Sequence, residues 1–176
     1  YTSGSTGRPK GVVVSHQGVA SLAYAQARRL GVSAESRVLQ FASPSFDAAW
    51  WELVMAFSSG ATLVVPEEGR LVGEALREVL AEQRISHATL PPSVLGALPA
   101  GAESGLPELR AVALAGEAVP PELVARWTVD GRVVVNAYGP TESTVCVSMS
   151  DTTEELVAPI GRPVTNTRAY VLDAAL

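Results

Sequence analysis

The stretch LRAVALAGEAVPPELVARWTVDGRVVVNAYGPTE, residues 109–142, contains a complete strand–helix–strand unit and decides the fold class. Its apolar runs at residues 109–114 and 132–135 have the length and β-branched content of buried strands. Between them, residues 120–127 begin with two prolines, which favour the first turn of a helix. Two strands joined through a helix lie parallel in one sheet, and ligands gather beyond the carboxyl ends of such strands. The sequence therefore predicts an α/β fold, a mainly parallel sheet flanked by helices.

Strands and helices alternate in the same way along the rest of the chain. We predict further strands at residues 12–14, 38–41, 61–65 and 85–90, and helices at residues 16–29, 46–57 and 72–83. Ser15 can cap the first of these helices, and Gly31 ends it. The final stretch AYVLDAAL, residues 169–176, has the pattern of a strand that enters a turn. Three loops are expected to lie side by side at one edge of the sheet, those after Leu90, Leu114 and Val135.

Composition narrows the class of protein. At 176 residues and 47% hydrophobic content, the chain can form about one domain with a sizeable core. A net charge of −5 without a basic run argues against nucleic acid as a partner, and no apolar run approaches membrane-spanning length. A single cysteine, Cys146, excludes an internal disulfide and favours a reducing, cytoplasmic location. Because the chain lacks an initiator Met and a signal peptide, we expect a piece of a longer polypeptide.

The opening loop YTSGSTGRPKG, residues 1–11, is rich in backbone amides and hydroxyls and has little apolar surface. It is not a P-loop, because Lys10 follows Pro9 and leads into a predicted strand rather than a helix. Its amides, its hydroxyls and the charge of Lys10 could together hold an anion. A surface hairpin turn is the alternative.

A second polar stretch, NAYGPTE at residues 136–142, directly follows a predicted strand, where a binding loop belongs. The ring of Tyr138, the hydroxyl of Thr141 and the carboxylate of Glu142 suit a base, a phosphate and a magnesium ion. Taken alone, the stretch could be an ordinary Gly-Pro turn.

Together, the two stretches resemble the phosphate-binding motif and the adenine and magnesium motif of the adenylate-forming superfamily. The chain is most similar to the amino-acid adenylation domain of nonribosomal peptide synthetases. The stretches SFDAAWWEL, LPPSVL, LAGEAV and PIGRPVTNTRAYVLD also match that family in order and spacing. The resemblance covers essentially the whole chain and implies part of the large N-terminal subdomain. The small C-terminal subdomain, with its lysine, would lie beyond residue 176, so we expect this piece to be inactive alone.

The resemblance implies the position of ATP. Its β- and γ-phosphates would be wrapped by Thr2, Ser3, Gly4, Ser5, Thr6, Gly7 and Lys10. Adenine would stack on Tyr138 and bond Asn136, and the nucleotide would also be lined by Gly116, Glu117, Ala118 and Gly139. Thr141 would contact the α-phosphate and Glu142 would bind Mg²⁺, so Lys10, Thr141 and Glu142 are the implied catalytic residues. A substrate carboxylate would then attack the α-phosphorus and release pyrophosphate, and the protein would supply positioning and charge neutralisation.

Asp47 is the strongest candidate for binding the amino acid. It lies in the first turn of a predicted helix, where the dipole favours a carboxylate, and Trp51 projects from the same face. A buried carboxylate needs a cationic partner, which the resemblance identifies as the α-ammonium of an amino acid; a plain helix cap is the alternative.

The other implied positions of the substrate pocket are Ala48, Trp51, Thr89, Ala113, Ala115, Ala137, Val145 and Cys146. Read after Asp47, they give D-A-W-T-A-A-A-V-C, which resembles the pattern of phenylalanine-activating domains. The alanines leave a deep, uncharged cavity in which Trp51 can meet an aromatic ring edge-to-face. Ala113 is smaller than the residue expected there, and this would admit tyrosine, tryptophan or a substituted phenylalanine.

The resemblance also implies partners. The aminoacyl group would be loaded onto the phosphopantetheine thiol of a peptidyl carrier domain, beside condensation domains, in the synthesis of a secondary metabolite such as an antibiotic. Two alternatives stay open: an acyl- or aryl-CoA ligase, whose members usually lack the carboxylate at Asp47, and a non-catalytic nucleotide-binding module. His16 and His87 are interpreted as structural.

Overall fold

The computed structural model of the chain describes residues 1–2, 7–67, 71–150 and 158–173. It contains one sheet of seven strands in the order β2-β1-β3-β4-β5-β6-β7. The strands are β1 Arg37–Leu39, β2 Thr62–Val64, β3 His87–Leu90, β4 Ala111–Ala115, β5 Val133–Tyr138, β6 Ser148–Met149 and β7 Arg162–Pro163. Strands β1 to β5 pair in parallel, whereas β6 and β7 are antiparallel to their neighbours. The predicted α/β fold with a mainly parallel sheet is therefore confirmed.

Helices connect the parallel strands. They are α1 Val19–Leu30, α2 Asp47–Ser58, α3 Gly73–Glu82, α4 Pro92–Gly96 and α5 Pro121–Trp127, with 3₁₀ turns at His16–Gly18 and Thr141–Ser143. Gly31 ends α1 in the left-handed conformation, with a φ of 68°, as its position in the sequence predicts. In the described part of the chain, no helix combines the length and the apolar character that a membrane crossing requires.

Each face of the sheet packs against its own set of helices, because successive side chains of a strand point to opposite faces. On one face, Val112 and Leu114 of β4 join the buried cluster that contains Leu76, Leu95 and Trp127. On the other face, the cluster contains side chains of β4 and β5 together with residues of α1 and α2, including Ala113, Val135, Leu22, Trp51 and Met55. The sheet thus has helices on both faces, and the small side chains of β4 leave room for the tryptophan of α2.

The register of the central strands places their carboxyl ends at one level. Leu90 of β3 pairs with Leu114 of β4, which in turn pairs with Asn136 of β5. The loops after these three strands therefore lie next to one another, as predicted from the sequence.

Two predicted strands are wrong. Residues 12–14 have no regular structure and Val13 is fully exposed; instead, the backbones of Thr2 and Lys10 pair through two hydrogen bonds of 2.9 Å. The described residues 169–173 also form no strand, and the side chains of Tyr170 and Val171 are exposed. Both segments contain β-branched or apolar side chains, but in the described part of the chain neither pairs with a strand of the sheet. Residues 174–176 lie outside the described part.

The boundaries of the other elements move by one to three residues, and four short elements escaped the sequence analysis. The predicted cap of the first helix is wrong in detail, since Ser15 makes no side-chain cap hydrogen bond and a 3₁₀ turn precedes α1. The elements that were missed are α4, the 3₁₀ turn Thr141–Ser143, β6 and β7. Each spans five residues or fewer, which is too short for a hydrophobic period to show.

Candidate active site

A cavity of about 910 Å³ opens at the carboxyl ends of β3, β4 and β5. Its walls come from the loop after β1, the first turns of α2, the loops after the three strands, and residues 158 and 160. This is the place where ligands bind in open parallel sheets.

The predicted amino-acid residues come together in this cavity, with one exception. It is lined by Asp47, Ala48, Trp51, Thr89, Ala115, Ala137, Val145 and Cys146. Ala113 is completely buried and belongs to the core cluster that includes Trp51, so it is not part of the cavity wall. It lies two residues before Ala115 on the same face of β4, one layer deeper in the sheet. The expectation that the small side chain of Ala113 enlarges the substrate pocket stays a prediction.

The floor of the cavity is fixed by a hydrogen bond between α2 and β3. The indole Nε1–H of Trp51, whose side chain is 2% exposed, donates to Oγ1 of Thr89 at 2.8 Å. The Thr89 hydroxyl keeps its own proton and can still donate to a ligand. Nearby, burial raises the pKa of the Cys146 thiol to about 11, and this thiol donates to the carbonyl of Ser148 at 3.2 Å. The floor is thus uncharged around neutral pH.

Most of the predicted nucleotide residues line the same cavity: Gly116, Glu117, Ala118, Asn136, Tyr138 and Gly139. The side chain of Asn136 is oriented by two backbone carbonyls, since its Nδ2 donates to Ala158 at 3.2 Å and to Pro159 at 3.1 Å. Because those carbonyls can only accept, Oδ1 of Asn136 is left as an acceptor. The ring of Tyr138 is about half exposed, which leaves one face open to a flat ligand.

Glu117 also has a partner within the protein. Its carboxylate accepts from the backbone N–H of Ser93 at 3.0 Å and from the Ser93 hydroxyl at 2.8 Å. The bonds join the loop after β4 to the start of α4, after β3. The left-handed φ of 86° at Gly116 turns the chain just before this contact. Sequence analysis missed Ser93, because a partner 24 positions away carries no local signal.

A second cavity, of about 630 Å³, adjoins the first. It is lined by Thr141, and it shares Phe46, Asp47 and Val145 with the first cavity. Thr2 and Lys10 form the base of the opening hairpin, and Gly7 has a left-handed φ of 77°. Ser3, Gly4, Ser5 and Thr6 lie outside the described residues.

Glu142 is exposed in the 3₁₀ turn Thr141–Ser143 and lines neither cavity. Within the described ranges, no group of three or more His, Cys, Asp or Glu side chains is arranged to hold a metal. A single exposed carboxylate beside a phosphate region nevertheless fits Mg²⁺, which binds through one or two carboxylates and substrate phosphates and keeps several waters.

The segment between β5 and β6 folds tightly against itself. A side chain at Gly139 would approach the Cα of Cys146 and the carbonyl oxygen of Val145 within 2.6 Å, so only glycine fits there. Thr144 and Val145 both have left-handed φ angles, 57° and 68°, which are unfavourable for β-branched residues. This compact turn brings Val145 and Cys146 into the cavity wall.

The comparison with known proteins agrees with this arrangement. The sequence profile of a family described as AMP-binding enzyme matches residues 1–176. The chain belongs to the AMP-binding enzyme family. Its sheet and flanking helices match the N-terminal subdomain of adenylate-forming enzymes.

Relatives of this AMP-binding chain are peptide synthetases. It is 61% identical over 176 residues to the probable non-canonical nonribosomal peptide synthetase CymA of Salinispora arenicola. The alignment covers 100% of this chain and 2% of that protein. Among solved structures, PA1221, an NRPS protein containing adenylation and PCP domains, gives a TM-score of 0.87 at 30% identity and covers 99% of this chain and 36% of that one. The AMPPNP-bound form of the synthetase FmoA3 gives a TM-score of 0.83 at 28% identity, covering 94% of this chain and 19% of that one. The chain is thus an AMP-binding domain of the synthetase adenylation type, and it spans a minor part of these proteins.

Sequence analysis did not single out one buried carboxylate of this AMP-binding domain, Glu52 in α2. Its oxygens accept hydrogen bonds from the backbone N–H groups of Phe41 and Ala42, which line the larger cavity. The signal was present in the sequence, since Glu52 is the one charged residue among the apolar residues 48–58.

The two histidines of the AMP-binding domain have structural contacts, as interpreted from the sequence. His87 is buried in β3, where its Nε2–H donates to the carbonyl of Leu30 at 3.0 Å and its Nδ1 accepts from the Ser86 hydroxyl at 2.8 Å. Burial lowers the pKa of His87, so the ring is neutral. His16 stacks on Trp50 with 6.0 Å between ring centroids.

Proposed function

We propose that this chain supplies the nucleotide and substrate cavity of a domain that joins an aromatic amino acid, phenylalanine first, to AMP. Amino-acid adenylation in a peptide synthetase is the activity that the relatives support. The observation that carries the substrate proposal is the position of Asp47, which lines a cavity whose remaining amino-acid wall is uncharged.

The amino-acid end of the cavity suits an ammonium group attached to an apolar side chain. Asp47 opens α2 at the boundary of the two cavities, so its carboxylate can pair with the α-ammonium while the substrate carboxylate faces the phosphate side. Ala48, Ala115 and Ala137 leave space beyond it, and the Trp51 ring can pack against an aromatic side chain. Among the described residues, no charged side chain lines the cavity beyond Asp47 at this end, which disfavours lysine, arginine, aspartate and glutamate as substrates.

The nucleotide end suits an adenosine phosphate. Oδ1 of Asn136 can accept from the adenine amino group, and the half-exposed Tyr138 ring can stack on the base. Thr141 would contact the α-phosphate, and the opening hairpin with Lys10 would hold the β- and γ-phosphates. FmoA3 has been solved with AMPPNP, which supports a nucleotide in a fold of this kind.

The reaction then needs no covalent intermediate with the protein. An oxygen of the substrate carboxylate attacks the α-phosphorus, the bond to the bridging oxygen of the leaving pyrophosphate breaks, and aminoacyl-AMP remains. Mg²⁺, bound by Glu142 and the phosphates, would neutralise the charge of the leaving group. The residues of this chain align the two reactants, exclude water with the apolar floor and stabilise charge.

The product would next be transferred to the phosphopantetheine thiol of a peptidyl carrier domain, in a synthetase that also contains condensation domains. The combination of adenylation and PCP domains in PA1221 supports such a partner.

The test replaces the corresponding segment of the PA1221 adenylation domain with residues 1–176 and measures amino-acid-dependent ATP–pyrophosphate exchange with every standard amino acid. We expect phenylalanine to give the fastest exchange. Fastest exchange with tyrosine or tryptophan would retain the reaction and change the substrate. A folded chimera that exchanges with no amino acid would refute the proposal and favour an acyl- or aryl-CoA ligase or a nucleotide-binding module.

A further inference from the structure

Glu52 lies behind the cavity wall rather than in it. Its side chain, in the second turn of α2, is completely buried and does not line either cavity. One carboxylate oxygen accepts from the N–H groups of Phe41 and Ala42, each at 3.1 Å, and the other oxygen accepts from Ala42 at 3.2 Å. A helix that carries substrate residues is thereby bonded to the loop that precedes it.

That loop, residues 40–46, forms part of the wall of the larger cavity. Phe41, Ala42 and Ser43 line the larger cavity, and Asp47 follows directly at the start of α2. One end of the loop is attached to the sheet by the N–H of Gln40, which donates to the carbonyl of Val64 at 2.9 Å. The Gln40 side-chain amide also donates to the carbonyl of Ala42. Glu52 supplies the bonds to the middle of the loop.

Burying a carboxylate at this position costs desolvation free energy, which argues that its hydrogen bonds have a functional role. The neighbouring residues of α2 are apolar, and a leucine would suit the packing of such a helix at no desolvation cost. Burial raises the pKa of Glu52 to about 7, against the opposing effect of the N–H groups of Ala42 and Phe41 and the amide of Gln40. These donors favour the charged form of Glu52, but burial has the larger effect on its pKa.

We propose that Glu52 is a positioning residue for the amino-acid end of the cavity. It holds the 41–43 wall against α2 and so fixes the distance between that wall and Asp47, without contacting substrate. This inference rests on the proposed function, because it assigns the wall to amino-acid binding.

The test uses the chimera described above, assayed at about pH 8, where Glu52 is ionised. Glu52→Leu removes both acceptor oxygens, and we expect it to raise KM for the amino acid at least about tenfold while KM for ATP stays within about twofold. Glu52→Gln keeps one carbonyl oxygen able to accept from both N–H groups, so its KM for the amino acid should stay within about threefold of the parent value. Glu78→Leu, the same change on the exposed face of α3, is the matched control and should leave both KM values unchanged.

A second measurement is independent of activity. Amide hydrogen exchange in residues 40–46 should accelerate at least about tenfold in Glu52→Leu, while exchange in β3 stays unchanged. Unaltered exchange in the loop of a folded Glu52→Leu protein would overturn the inference, whether or not the chimera is active. An unchanged KM for the amino acid, or an equal rise in both KM values, would also overturn it. A parent chimera without amino-acid-dependent activity would instead refute the proposed function, and the loop measurement would still decide whether Glu52 holds the wall.

Discussion

The side chain of Asp47 has both a favourable electrostatic environment and access to the two cavities. It lies in the first turn of α2, where the helix dipole favours negative charge, and it lines both cavities. A substrate ammonium would therefore meet a carboxylate whose position is fixed by the helix start. The attraction between this carboxylate and the ammonium would depend on the uncharged wall beside them, because a low-dielectric environment strengthens the interaction between opposite charges.

Replacing Asp47 with alanine should therefore disable the chimera with respect to the amino acid. We expect kcat/KM for the amino acid in ATP–pyrophosphate exchange to fall by at least about 100-fold, since the ammonium would be left unpaired in the cavity. Asp47→Asn, which keeps the size, should recover only part of that loss.

Glu122→Ala is the matched control for Asp47→Ala, because Glu122 is also an acidic residue in the first turn of a helix, α5, but lies away from the larger cavity. Its kcat/KM should equal that of the parent chimera. Normal exchange by the Asp47→Ala variant would show that the ammonium binds elsewhere.

Sequence reasoning found residues with local signals and missed those that depend on distant partners. Asp47 and Trp51 could be paired from their helical spacing, and both line the cavity. The contact of Glu117 with Ser93 could not be inferred, because tertiary structure alone brings these residues together. The depth of Ala113 could not be inferred either, because a motif gives the position along a strand but not the depth at which a cavity ends.

Among the secondary-structure elements, α2 and β3 are joined at the cavity floor by a single buried hydrogen bond. The donor is Nε1 of Trp51 and the acceptor is Oγ1 of Thr89, at 2.8 Å. The carbonyl of Trp51 also accepts from Nε2 of Gln26 in α1 at 2.8 Å. The tryptophan is thus held by groups from two other elements, which fixes the shape of the floor.

A double-mutant cycle in the chimera measures the bond between these elements. Trp51→Phe and Thr89→Val should each reduce the free energy of unfolding by about 1 to 3 kcal/mol, since each removes a partner and leaves the other group buried. The coupling between the two changes should be about 1 kcal/mol. Chemical denaturation of the parent, both single variants and the double variant provides the values.

Trp50→Phe combined with Thr89→Val is the control cycle. Trp50 is 42% exposed and stacks on His16, so its effect should add to that of Thr89→Val within about 0.5 kcal/mol. A coupling near zero in the Trp51 cycle would show that the bond contributes nothing to stability.

The secondary-structure elements with a clear periodic pattern of apolar residues were predictable from the sequence, and the others were not. Strands β3 and β4 are almost completely buried, and helices α1, α3 and α5 follow the expected alternation. Strands β6 and β7 have two residues each, and they exist because β5 offers a free edge, a condition that no local pattern encodes. Conversely, residues 12–14 are β-branched but form no strand, because strand formation depends on pairing as well as on local composition.

For the folded domain as a unit, Glu52 makes stability depend on pH. Its ordinary pKa of 4.5 is raised by burial to about 7 in the folded protein. At low pH the group is protonated in both the folded and unfolded chains and has no unfavourable effect. As the pH rises from 4.5 to about 7, the unfolded chain releases its proton first, so the free energy of unfolding falls.

Glu52→Gln should remove this part of the pH dependence. Between about pH 4 and about pH 8, we expect the free energy of unfolding of the parent chimera to fall, relative to that of the Glu52→Gln variant, by on the order of 2 to 4 kcal/mol. Chemical denaturation of both proteins across that range measures the difference, and the titration of His87 cancels because both proteins contain it. A difference that is independent of pH would show that the pKa of Glu52 is not raised.

The order of the cavity-lining residues along the chain has an evolutionary consequence. Every described residue that lines the larger cavity falls between Phe41 and Ile160, while the hairpin based on Thr2 and Lys10 precedes that stretch. One recombination event spanning a single uninterrupted piece of the gene would therefore replace the complete wall against which a substrate is selected, and would leave the upstream hairpin in its inherited form. Exchange of shorter segments would instead combine parts of the wall from different ancestors. In such a hybrid, the hydrogen bonds from Glu52 to the 41–43 wall and from Trp51 to Thr89 would have to form between residues of different origin.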